Sequence, residues 1–169
     1  MTAIQPGRQP TKISSRTLAD LAREALRSGS IAAVAMAPFG LVFYLAGLDV
    51  NEYGRAVIQT FFGQASPGVR LGLFVVEHFL ISWAASIPLL GLLIRFRRFQ
   101  ALAVGALYGA AFWFFINSLL LPILFNRLTP WQLGWTDIYP SLTVHVVYGV
   151  SIALTSRAFV DRHKFTLET

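Results

Sequence analysis

Residues Val75–Leu93 read VVEHFLISWAASIPLLGLL. The run is apolar and long enough to cross a bilayer, which takes roughly 17–25 helical residues. Glu77 and His78 nevertheless sit inside it. Ionisable side chains are costly in hydrocarbon, so they face protein or a water-filled cavity and mark candidate functional sites. The remaining apolar runs read as three further membrane helices arranged around this one.

Composition agrees. Of 169 residues, 55% are hydrophobic, and the mean hydropathy is +0.59. A soluble domain is only about half apolar with glycine counted. The net charge of +6 does not point to nucleic acid, because the basic residues flank apolar runs instead of lining one face. There is no cysteine, which excludes disulfides, thiolate metal sites and iron–sulfur clusters. The first apolar run begins only near Ile31, too late for a cleavable signal, so the N-terminus is expected to be retained.

Working outward to the N-terminus, Met1–Ile13 is polar, contains Pro and Gly, and is expected to be disordered. SSRTLADLAREALRSG follows, with a capping-box pattern at Thr17 and Asp20 and a stop expected at Gly29. Leu18, Leu21, Ala22, Ala25 and Leu26 share one face, which predicts an amphipathic helix. It lies on the membrane surface or docks on the protein's own inner side. The expected units are an arm over 1–29, a transmembrane domain over 30–159 and a tail over 160–169.

The four spans are placed at about 30–48, 70–94, 101–125 and 139–159. In the first, Ala33, Ala37, Gly40, Tyr44 and Gly47 form a stripe of mostly small residues expected to pack inward. RAVIQTFFGQ, in the loop that follows, predicts a short interfacial helix. Pro88 bends the second span, and Pro140 is tolerated in the first turn of the fourth. Trp131, Trp135 and Tyr139 form an interfacial aromatic belt. Gly105 and Gly109 make a GxxxG pair for close helix packing, within the chain or between copies. The fold class is thus all-α: an integral membrane four-helix bundle with an N-terminal amphipathic interfacial helix.

Basic residues set orientation. The N-terminal arm (Arg8, Lys12, Arg16, Arg23, Arg27), the second turn (Arg95, Arg97, Arg98) and the tail (Arg157, Arg162, Lys164) are rich in them. The other two loops hold only Arg55, Arg70 and Arg127. Both termini are therefore expected on the cytoplasmic side of a bacterial inner membrane. Arg95, Arg97 and Arg98 are expected to meet anionic lipid headgroups.

Helix rise converts sequence position into depth. Counted from Arg70, Arg127 and Asp137, His78 and His145 lie about 12 Å deep and Asn117 about 15 Å, at ~1.5 Å per residue. His78 aligns with Ser82 and Ala85, Asn117 with Trp113, and His145 with Ser141, Tyr148 and Gly149. These small and polar faces are expected to point into the bundle around a polar pocket open toward the outer side, with His78 and His145 facing each other and Glu77 turned about 100° from its neighbour. Interhelical hydrogen bonding alone also accounts for the layer.

Three functions stay open. The pocket of His78, His145, Asn117, Glu77 and Tyr148 is proton-responsive or handles a small solute, since histidine titrates near neutrality. Alternatively, His78 and His145 ligate a b-type haem, or the chain is an accessory subunit of a larger membrane complex. No cofactor is expected on the first reading, and a homo-oligomer is compatible with the GxxxG pair. No helix face carries an HxxxH or ExxH pair, so no metal site is expected. With no Walker loop, GxSxG or plausible Ser–His–Asp triad, nothing points to an enzyme.

GALYGAAFWFFINSLLLP (Gly105–Pro122), LTP (Leu128–Pro130) and SLTVHVVYGVSIAL (Ser141–Leu154) together resemble the YagU-like bacterial inner-membrane proteins. In that family a glycine-rich helix with Trp and Asn leads to a proline, a short outer loop and a helix with an H-x-x-Y-G core. The resemblance spans roughly Leu71–Phe159. His78, Trp113, Asn117, Pro122, His145, Tyr148 and Gly149 are the matching positions. It implies a cytoplasmic-membrane protein associated with acid tolerance and carries over no catalytic residues. The basic arm and the loop between the first two spans depart from the pattern.

Overall fold

The computed structural model describes residues 15–48, 50, 52–96 and 100–164. The disorder expected for Met1–Ile13, Arg8 and Lys12 of the basic arm, Arg97 and Arg98 of the basic turn, and residues 165–169 of the tail lie outside them. So do the side chains of Arg16, Thr17 and Lys164.

The elements in order are α1 (Ser15–Leu45), α2 (Glu52–Phe62), α3 (Pro67–Arg95), α4 (Ala101–Phe112), a π-helical segment (Trp113–Leu120), α5 (Leu121–Leu124), α6 (Pro130–Leu133), α7 (Trp135–Thr155) and α8 (Arg157–Lys164). No strand occurs among the described residues. α1, α3, the continuous run Ala101–Phe125 and α7 are each long and apolar enough to cross a membrane. The chain is a multi-pass membrane protein with an all-α bundle fold. Its spans alternate in direction. The start of α1 meets the end of α7 where Arg27 donates to the Thr155 carbonyl, and the end of α1 meets the start of α7 where Phe43 packs edge-on against Tyr139. One end of the bundle, with α8, is the terminal end. The other, with α2 and α6, is the loop end.

The break expected at Gly29 is absent, and arm and first span are one helix. Gly29 is there for close approach. A Cβ added to it would lie 2.6 Å from Ser86 Oγ and 3.1 Å from the Ser82 carbonyl oxygen. Ser82 Oγ instead donates to the Gly29 carbonyl at 2.8 Å. At ~1.5 Å per residue α1 is about 46 Å long against a hydrocarbon core of ~30 Å, so its first turns project beyond it. This projecting part docks on the protein's own end, as one of the two expected readings had it. Ala25 is buried with Phe159 and Val160 of α8. The buried stripe, however, is shifted from the expected one: Leu18 and Leu26 are exposed, whereas Glu24, Ala25 and Ser28 are buried. Glu24 tolerates this because Arg27 holds its carboxylate through two bonds of 3.0 and 2.6 Å.

The fourth span begins four residues earlier than expected, at Trp135, so Pro140 lies inside α7 and not in its first turn. α7 stops before Ser156, and the end of the expected fourth span together with the start of the expected tail forms α8, which buries Phe159 and Val160. The third span widens into π geometry over WFFINSLL, closed by Leu121 N–H donating to the Ile116 carbonyl. Within the segment Ser118 Oγ donates to the Trp113 carbonyl at 3.4 Å, and both residues are buried.

α4 and α7 pack backbone to backbone. A Cβ on Gly105 would run into the Gly149 carbonyl, one on Gly109 into the His145 carbonyl, and one on Gly149 into the Gly105 carbonyl. The Gly105–Gly109 pair is thus used within the chain. Lipid is as apolar as leucine, so helix association in a membrane rests on such close packing and on interhelical hydrogen bonds. The latter include Tyr108 to the Ala85 carbonyl (2.6 Å), Tyr148 to the Ser82 carbonyl (2.6 Å) and Trp83 to Ser30 (2.9 Å). Among the described residues no buried polar side-chain atom lacks a partner.

Candidate functional site

A cavity of about 1140 Å³ opens between α1, α2, α3, the third span and α7. Its deep part is polar. Glu77 and His78 come from α3, Asn117 from the π segment and His145 from α7. The structure therefore opens four of the five pocket residues read from the sequence onto one space. Tyr148 is the exception. It lies one turn further along α7, buried, with its hydroxyl on the Ser82 carbonyl and 3.1 Å from Ser86 Oγ. Its aromatic body fills the core beside Ile152 and Leu89, so it holds α7 to α3 and does not line the cavity.

Both histidine tautomers follow from their partners. His145 Nδ1 lies 2.7 Å from the Ser141 carbonyl oxygen, which only accepts, so Nδ1 carries a proton. Nε2 lies 3.1 Å from Asn117 Nδ2 and accepts from that amide. Both ring nitrogens are engaged, and the Phe112 ring stacks on the imidazole with centroids 5.9 Å apart. His78 is held more loosely. Its Nε2 donates to the Ala33 carbonyl at 3.4 Å, a long contact, and the ring is flanked by Phe74 and Phe79. Its imidazole, like that of His145, is half-buried. The Ala33 carbonyl it reaches belongs to the stripe of α1 expected to pack inward. Of that stripe only Ala33 is buried. Ala37, Gly40 and Tyr44 join it as cavity wall, and Ala37, Tyr44 and Gly47 are exposed. Small side chains there make room for the cavity and not for a helix.

Asn117 is aimed by its local fold. The π segment carries Trp113 and Asn117 on one side, where Trp113 Nε1 donates to Ser141 Oγ at 3.1 Å. Ser141 therefore accepts from Trp113 at its hydroxyl and from His145 at its carbonyl, which ties the π segment to the first turns of α7. The sequence does contain a signal for this. Asn117 and Ser118 are neighbouring polar residues that a regular α-helix turns about 100° apart, and both are nevertheless directed into protein.

Three further polar residues line the loop end of the cavity and are not foreseen as part of it: Arg55 and Gln59 on α2 and Arg70 on α3. Arg70 Nη1 donates to Gln59 Oε1 at 2.9 Å and to the Gly63 carbonyl at 3.5 Å, which clamps α2 across the start of α3. The missed signal is the periodicity of α2. Ala56 and Ile58 are buried, Phe61 and Phe62 are exposed, and Arg55 and Gln59, four apart, share a face.

Among the described residues no group of three or more His, Asp or Glu side chains is placed to hold a metal ion. The chain matches no protein-family model, no curated protein and no solved structure.

Proposed function

We propose that this is a bacterial inner-membrane protein with both termini cytoplasmic and a proton-responsive, solute-accessible cavity in which His78 takes up the proton. The observation that carries the reading is the unequal engagement of the two histidines around one cavity. Protonating His145 Nε2 would set it against the Asn117 amide donors, and the amide would have to turn over to offer its oxygen. Protonating His78 Nδ1 breaks no bond seen in the structure, because the Ala33 carbonyl is already served by Nε2–H. Among the described residues, the charged and titratable groups that share the cavity with His78 are Tyr44, Arg55, Arg70, Glu77 and His145. Of these, Glu77 adjoins His78 on α3 and supplies a carboxylate to the same space.

Orientation rests on the asymmetry of basic residues. A reporter active only in the cytoplasm is expected to be active when fused after Thr169 and silent when inserted near Gly63. The reverse pattern would invert the topology. On this topology Arg95, beside the Phe96 ring at 5.9 Å, faces the anionic inner leaflet.

Membership of the YagU-like family is part of the same proposal. It is supported by the motifs from Gly105 to Leu154 and ties the cavity to acid tolerance. The function test is His78→Asn, which keeps a polar side chain but cannot titrate. It is expected to leave the fold intact and to abolish a pH-dependent change in tryptophan emission of protein reconstituted in vesicles, as well as any acid-survival phenotype. An unchanged pH response in the folded variant would refute it. Haem ligation is the alternative. It would compete with Asn117 for His145 Nε2, and a stoichiometric Soret band in purified protein would establish it.

A further inference from the structure

The cavity has a feature that the histidine chemistry leaves unused, namely two arginines, Arg55 and Arg70, at the mouth of an apolar shaft. From Arg70 to Ile81, both lining residues, α3 rises about 16 Å at ~1.5 Å per residue. Between the arginines at the loop end and the polar floor at Glu77 and His78, the walls are Leu41 and Gly40 of α1, Leu71 and Phe74 of α3 and Leu121 of α5. At 1140 Å³ the space exceeds the roughly 300–1,000 Å³ of pockets for drug-sized ligands. Several of its wall residues, Leu41, Tyr44, Leu71 and Val75, are also exposed at the bundle surface. The shaft therefore communicates sideways with the hydrocarbon in which a multi-pass protein sits.

We propose that this cavity binds one anionic phospholipid of the surrounding bilayer, its phosphate at Arg55 and Arg70 and one acyl chain lying in the shaft along Gly40, Leu71 and Phe74, above the polar floor. Charge complementarity selects the headgroup. Arginine presents forked donors that match phosphate oxygens, and among the described lining residues the one carboxylate, Glu77, lies about 10 Å below Arg70 along the helix at ~1.5 Å per residue. The Arg70–Gln59 bond holds one guanidinium in place at the mouth while using only Nη1. An acyl chain accounts for the small residues of the α1 wall, Ala37 and Gly40. A Cβ placed on Gly40 meets nothing within 4 Å. The inference deepens the cavity reading above but does not depend on His78 titrating.

The test is native mass spectrometry of full-length protein released from nanodiscs that contain equal phosphatidylglycerol and phosphatidylcholine with identical chains. Wild type is expected to retain one phosphatidylglycerol in preference to phosphatidylcholine. Arg55→Gln/Arg70→Gln is expected to weaken that retention roughly tenfold, the loss expected of a charge-assisted bond pair. Arg55→Gln alone, which leaves the Arg70–Gln59 clamp intact, should weaken it in part. Gly40→Trp fills the shaft without touching a charge and should also lower retention, whereas Arg127→Gln should not. Equal retention of the two lipids, or retention insensitive to both the arginine and the Gly40 variants, overturns the proposal. Loss with the arginine variants but not with Gly40→Trp also overturns it, because the lipid then sits on the surface. Preferential retention with an unresponsive His78 would leave lipid binding standing and remove the proton-response reading alone.

Discussion

Replacing Gly149 by alanine tests how the bundle is held together. The added Cβ would run into the Gly105 carbonyl oxygen and lie 2.9 Å from the Gly105 carbonyl carbon and 3.1 Å from Gly109 N. These are backbone atoms of a helix, so no side chain can turn aside and α7 must move away from α4. Overpacking of this kind costs ~1–3 kcal/mol. The displacement also stretches the two bonds that join α7 to the π segment, Asn117–His145 and Trp113–Ser141, both 3.1 Å. Interhelical bonds of that type are worth about 0.6 kcal/mol each. Alanine's better helix propensity returns about 1 kcal/mol, so the net destabilisation is about 1–3 kcal/mol. Gly91→Ala is the control, since a Cβ there meets no atom within 4 Å and only the propensity gain applies. The two variants should differ by about 2–4 kcal/mol in SDS-titrated unfolding from mixed micelles, followed by tryptophan emission. A Gly149→Ala protein as stable as Gly91→Ala would refute the close α4–α7 packing.

Two other outcomes follow from the same contacts. Tyr148→Phe removes the bonds to Ser82 and Ser86 and should lower stability by about 1 kcal/mol in the same unfolding assay. It should leave any pH response unchanged, because Tyr148 lies outside the cavity. Arg27→Met strands the Glu24 carboxylate, whose side chain is only 8% exposed, and should cost ~1–3 kcal/mol. Arg23→Met, at an 82% exposed side chain paired at 3.6 Å, should change the unfolding midpoint by less than about 1 kcal/mol.

The four spans are legible in the sequence because apolar length alone identifies them. Depth by helix rise brings His78, Asn117 and His145 to one level for the same reason: a long helix is a ruler. What is not legible depends on partners. Gly29 has the same sequence appearance whether it ends a helix or admits Ser82 and Ser86 against its backbone. Tyr148 shares a face with His145, yet one turn moves it from cavity wall to the core beside Ile152. The stripe Ala37, Gly40 and Tyr44 has the signature of a packed helix face, but small residues serve equally to hollow out a cavity. The π turn over Trp113–Leu120 trades regular bonds for tertiary ones made by Trp113, Asn117 and Ser118, and its trace in the sequence is the adjacent polar pair Asn117 and Ser118. Arg55 and Arg70 read as flanking charges until the fold of α2 across α3 brings them to one mouth.

The two histidines of the cavity are chemically unequal. Solid-state NMR of ¹⁵N-histidine protein in lipid bilayers, with signals assigned through His78→Asn and His145→Asn, measures this directly. At neutral pH His78 is expected as the Nε2–H tautomer and His145 as the Nδ1–H tautomer. On acidification with helicity preserved, His78 should become doubly protonated first while His145 keeps its neutral form. Conversion of His145 before His78, or a His78 signal that stays neutral throughout, would contradict it.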